Sequence, residues 1–230
     1  MSKKNYKEET ENIILDAEVT YSRVEQYFNE NKKSFSIIAA AIIVLVGGYF
    51  AYKNLYIAPM EVEAQSRMFM AEKMFEADSL DKALNGFAEY DGFLKIIDNY
   101  GGTKSANLAN YYAGLCYLNT GEYQKAIDHL NSFSTSDLMI GAVALGATGD
   151  AYMELGKTSE AASFYEKAAY YNENKFITPI YLMKAAAVYE VENKFNKAVT
   201  LYKEIKENYE KSKEGQEVDR YLARAEAYVK

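Results

Sequence analysis

Three stretches of the chain repeat one another: "YYAGLCYLNTGEYQKAIDHL", "GATGDAYMELGKTSEAASFY" and "LMKAAAVYEVENKFNKAVTLY". Aligned, they match Gly114 with Gly149 and Ala186, and Tyr117 with Tyr152 and Tyr189. Gly121, Gly156 and Asn193 take the turn positions, followed by Ala126, Ala161 and Ala198, then Leu130, Tyr165 and Tyr202. A period of about 35 residues holds one supersecondary unit, which is too small to bury its own apolar face and has to stack on its neighbours. The residue types fit a pair of helices. A small residue on the first helix lets the second approach, the aromatic three residues later fills the space between them, and Gly or Asn accepts positive φ at the turn. With two prolines in the chain and long Ala/Leu/Glu/Lys-rich stretches, the pattern predicts an all-α fold, an α-solenoid of helix pairs.

On these positions the chain resembles the tetratricopeptide-repeat family over Glu61 to Lys230, most clearly from Asn107 to Tyr209. It departs from that pattern at Thr158, where Tyr123 and Phe195 supply an aromatic, and at Asn110, Leu145 and Leu182, where Trp is usual. An earlier, degenerate repeat places Ala71, Asp78, Ala83 and Phe87 in the matching roles. Its second helix is expected to be interrupted near Gly86 and Gly92 and to end at Gly101-Gly102. Pro179 is expected to open a helix. The segment "EVDRYLARAEAYV", with Val218, Leu222 and Ala225 on one face, reads as a closing helix.

Ahead of the repeats, Ser34 to Tyr52 carries no charge in a chain whose mean hydropathy is −0.32. As a helix those residues span roughly 28 Å, close to the hydrocarbon thickness of a bilayer. Lys32, Lys33 and Lys53 bound the run, and Tyr49, Phe50, Tyr52 and Tyr56 crowd its second edge as interfacial aromatics do. The leader before it is too long for a cleaved signal peptide. The expected layout is a leader at 1–33, a transmembrane helix at 34–53, a linker at 54–63 broken by Pro59, and the repeat domain at 64–230. Paired lysines before the run favour a cytoplasmic N-terminus and exported repeats. In the leader, Ile13, Ala17, Tyr21, Val24 and Phe28 recur at helical spacing and form a candidate contact face for a partner or the bilayer surface.

Catalytic constellations are missing from the sequence. His129 is the only histidine and reads as a surface residue, Cys116 sits among apolar residues and reads as core, and no Gly-rich segment has phosphate-loop spacing. One cysteine allows no intrachain disulfide. The residues after Lys53 carry the whole formal net charge of −7, which argues against nucleic acid. The expectation is a non-enzyme without cofactor or metal.

Binding remains. The family resemblance implies a groove lined by first helices, at Met68, Glu72, Tyr111, Leu115, Asn119, Asp150, Glu154, Met183 and Glu190. Methionine and aromatic side chains among acids suit adaptable polypeptide binding. Anchor, leader and repeats together resemble YfgM-like ancillary subunits of the bacterial SecYEG translocon, which work beside a membrane-anchored periplasmic chaperone, PpiD. That likeness implies an inner-membrane protein with periplasmic repeats, assisting emerging or unfolded polypeptides. The alternative is an independent scaffold for envelope assembly or division.

Overall fold

A computed structural model describes residues 27 and 29–229. The chain divides into two units, Met1–Tyr56 and Ile57–Lys230. The predicted contact face of the leader lies outside the described residues.

In the first unit, α1 (Lys32–Tyr52) follows from nineteen uncharged residues with no interior proline. None of its residues is buried, and Ile43, Val44 and Leu45 are exposed by 70–73%. A core helix of a soluble protein would hide such a surface, which costs about 25 cal/mol for every Å² left in water. The helical run Lys32–Glu76 is long and apolar enough to cross a membrane, with a mean hydropathy of 2.2 in its most apolar window.

The expected break at Pro59 is absent. Lys53–Ile57 form a π-helical turn, and Pro59 sits in the first turn of α2 (Ala58–Glu76). The missing N–H costs little there, and the wider turn eases the ring past the preceding carbonyls. Residues 54–63 are therefore helical rather than an irregular linker.

The second unit is all helical apart from one isolated bridge, Phe87–Tyr90. Its helices are α2, α3 (Leu80–Asn85), α4 (Phe93–Asn99), α5 (Lys104–Asn119), α6 (Tyr123–Ser132), α7 (Leu138–Glu154), α8 (Thr158–Tyr171), α9 (Thr178–Val191), α10 (Phe195–Asn208) and α11 (Lys213–Glu226). Each packs on its neighbours in sequence, and α5 also packs on α2 and α7, as helix pairs stacked in series do. Four equivalent turns, at Asp78, Gly121, Gly156 and Asn193, have φ between 55° and 83°. The degenerate repeat is interrupted where expected: Gly86 ends α3 at φ 83°, and Gly92 precedes α4. Pro179 lies in the first turn of α9. Val218, Leu222 and Ala225 of α11 are buried, closing the array as predicted.

The core is built by small residues receiving large ones. Gly114 faces Leu130, and Gly149 faces the Tyr165 ring; a Cβ at either glycine would lie within 2.7 Å of that partner. These are the contacts the repeat register requires. Two further sockets on α7 lie outside the repeat pattern: Gly141 receives Tyr171 and Gly146 receives Tyr181, with a Cβ placed 2.4 Å and 2.1 Å from the rings.

Polar bonds one period long tie successive repeats. Lys184 Nζ reaches Asp150 at 2.7 Å, Thr158 donates to Glu192 at 2.9 Å, and Tyr170 donates to Glu204 at 2.7 Å; Arg224 pairs with Glu190 at 2.5 Å. All four join residues 34 apart. Glu192 also takes the Ser159 hydroxyl at 2.5 Å and Lys194 at 2.8 Å. The bonds from Lys194 and then Ser159 hold its carboxyl at about 2, below the ordinary 4.5. A depressed carboxyl adds stability at neutral pH that is lost as pH falls through the folded value. Glu192→Gln should therefore flatten the acid limb of a melting-temperature profile between pH 4.5 and 2, read by circular dichroism. An unchanged limb would show that these bonds do not hold the turn.

Candidate protein-binding face

The first helices of the pairs, α2, α5, α7 and α9, carry the predicted face. Met68 is not on it. The side chain is 4% exposed and packs in the core that α2 shares with α4 and α5, because α2 has partners on several sides. Glu72 is half-buried, and burial first, then Glu76, raises its carboxyl above the usual range. Tyr111 is half-buried, with its ring 5.2 Å from Phe133 and 5.6 Å from Tyr112. Leu115 packs partly under it, against the small cluster of Leu130, Ala144 and Ala147. Asn119 and Glu154 are exposed, and Met183 is half-buried against the C-terminal core.

Asp150 and Glu190 are engaged within the chain. Arg224 of α11 holds one oxygen of Glu190 and also acts on the Tyr202 hydroxyl buried beside it. Asp150 accepts from Tyr165 at 2.6 Å and from Lys184 at 2.7 Å. The Lys184 ammonium lies 5.3 Å from the Tyr165 ring centre and 5.8 Å from that of Tyr181, and the two rings stack with centroids 6.3 Å apart. Burial pushes the Tyr181 hydroxyl up to about 12 and raises that of Tyr165 further, so both stay protonated donors at neutral pH. Asp150 and Lys184 keep 37% and 41% of their side chains exposed.

On this side of the array the structure brings Asp150 and Lys184 together over the buried Tyr165 and Tyr181 rings, with Tyr111 near enough to act on the Tyr181 hydroxyl. Sequence reasoning named Asp150 and Tyr111 but missed the other three as a group. The signal was present: Lys184 lies one period after Asp150, and a charge of opposite sign at that distance marks a pairing between adjacent repeats. The rings lie beneath the ion pair and hold the Lys184 ammonium by cation–π attraction, so what reaches solvent is the partly exposed Asp150–Lys184 pair. Among the described residues no group of acids, histidines and cysteines could hold a metal.

The two residues weighed as chemical candidates have packing roles. Cys116 is buried, and burial pushes its thiol up to about 12, away from the reactive thiolate. His129 is not a surface residue as expected. It is half-buried, stacked 5.3 Å from the Tyr117 ring, and its Nδ1 lies 3.0 Å from Asn110 Oδ1. Asn110 and His129 thus clasp α5 to α6.

Residues 108–136 match the tetratricopeptide repeat family, which covers most of α5, all of α6 and the loop after it. No curated protein matches the chain. Among solved structures, the chain is similar to a crystal structure of nearly identical TPR-like repeats attributed to a kinesin light chain of Podosopora anserina. The two are 14% identical with a TM-score of 0.54, over 72% of this chain and 86% of that one. At that identity the likeness shows the fold: a solenoid of tetratricopeptide-like helix pairs, an architecture that generally mediates protein–protein interaction.

Proposed function

We propose that this chain is a membrane-anchored, non-catalytic scaffold whose first-helix face binds polypeptides, acting as an accessory subunit of the SecYEG translocon beside a PpiD-like chaperone. The observation that carries the reading is the fully exposed apolar helix α1 on a chain whose second unit has a core of its own. A tether and an adaptor are the roles such a pair of parts can fill. The face around Asp150 and Lys184 suits segments that mix apolar and charged residues, as emerging chains do. In this reading α1 crosses the bacterial inner membrane with its N-terminus in the cytoplasm, and the repeats lie in the periplasm.

Two measurements test it. Protease added to spheroplasts should digest the repeats and spare a tag at Ser2. Protected repeats would reverse the topology and remove the translocon role. Gentle solubilisation and purification of the full chain should then recover SecYEG subunits. Recovery of division or outer-membrane assembly proteins alone would favour an independent envelope scaffold instead.

A further inference from the structure

Alternation of helix direction gathers the N-terminal ends of α2, α5, α7, α9 and α11 on one edge of the array, with the C-terminal ends of the second helices. Bonds run along that edge. Glu61 at the start of α2 accepts from the Ser105 hydroxyl at 2.9 Å. The Asn107 amide donates to the Ser134 carbonyl at 2.7 Å, Tyr171 to the Thr135 carbonyl at 3.0 Å, and Thr178 to the Ala169 carbonyl at 3.0 Å.

Large apolar side chains on this edge point to solvent, among them Leu138 at 52% exposed, Met139 at 50%, Phe176 at 78% and Ile180 at 41%. The opposite edge, formed by the four tight turns, shows Leu155 and Val191 singly, and Tyr228 and Val229 beside the Asn193 turn, where the Tyr228 ring is stacked on Phe195. Around Phe176 and Ile180 the cleft wall alternates Lys175, Lys211 and Lys213 with Glu207, Glu210 and Glu214, so the local charge balances.

Chain connectivity says what lies near this edge. Only Lys53–Ile57 separate the last residue of α1 from the first residue of α2, and α2 begins on the apolar edge. Five residues reach at most roughly 18 Å even when fully extended. If α1 spans a bilayer, that reach keeps the start of α2, and with it one end of the edge, close to the headgroup layer.

We propose that this edge rests on the lipid surface, with Phe176, Leu138 and Met139 entering the boundary between headgroups and acyl chains. The inference rests on the membrane-anchored reading of α1. Apolar insertion drives the contact, and the balanced lysines and glutamates make it independent of anionic lipid.

The sequence contains no tryptophan, so one introduced residue reports its own surroundings. The full chain is reconstituted in phosphatidylcholine vesicles whose acyl chains carry bromine, as Phe176→Trp, Met139→Trp or Leu155→Trp. The first two should shift to shorter wavelength and lose emission to bromine, while Leu155→Trp keeps its emission. Equal emission from all three in floating vesicles overturns the proposal and leaves the anchor intact. A wavelength shift at Phe176→Trp without bromine quenching also overturns it, since a second copy or another protein would then cover the edge. Chains that fail to float with the vesicles overturn the anchored reading, and this proposal falls with it.

Discussion

Gly146→Leu should lower the melting temperature of the repeat unit by about 6–12 °C, from a cost of about 3 kcal/mol. A Cβ at this position would lie 2.1 Å from the Tyr181 ring, and a leucine adds three more carbons in the same direction. The ring cannot step aside freely, since Tyr181 is buried, stacked on Tyr165 and set under Lys184. Circular dichroism of residues 57–230 reads the loss. The mechanism predicts compensation: Tyr181→Ala with Gly146→Leu should melt higher than the sum of the two single changes allows. A strictly additive pair would show that the ring is not the obstacle.

Arg224→Glu should loosen α11 from the array at a cost of about 1–2 kcal/mol. Arg224 is the cation facing Glu190, whose side chain is 14% exposed, and it also acts on the Tyr202 hydroxyl buried beside it. Reversing the charge sets two carboxylates against each other where water reaches poorly. Amide hydrogen exchange in α10 and α11 should rise while that in α5 and α6 stays unchanged. Exchanging both residues, Glu190→Arg with Arg224→Glu, should restore much of the protection. Unchanged exchange in the single variant would mean that Val218, Leu222 and Ala225 hold α11 without help from the pair.

The array was legible in the sequence because its rule is local. Gly114 and Leu130, or Gly149 and Tyr165, lie within one helix pair, so a recurring small residue and a recurring large one reveal their contact. Gly141 and Gly146 follow no such rule. The ring that fills Gly146 comes from the next pair, and nothing at that spacing repeats in the other units. Met68 was misplaced because the position that faces outward on an inner first helix faces α4 and α5 on α2, which opens the stack. Pro59 misled for a different reason. A proline marks a boundary, but the sequence does not say whether the boundary is a loop or a π turn with helix on both sides. The charges on the face were read one residue at a time, which left Asp150 and Glu190 looking free when each already had a partner one repeat later.

Those partnerships have a direction. In Asp150–Lys184 and Glu190–Arg224 the acid belongs to the earlier repeat and the base to the later one. Neither pair lies within one unit, so each acid is matched by a base that its own repeat does not carry. In the alignment that matches Gly149 with Ala186, Ala147 stands in the place of Lys184, and Ala187 lies the same distance before Arg224, so exchanging units would set an acid against a residue without charge. The small and large residues shared by every unit let any two stack, and these two pairs fix which unit follows which.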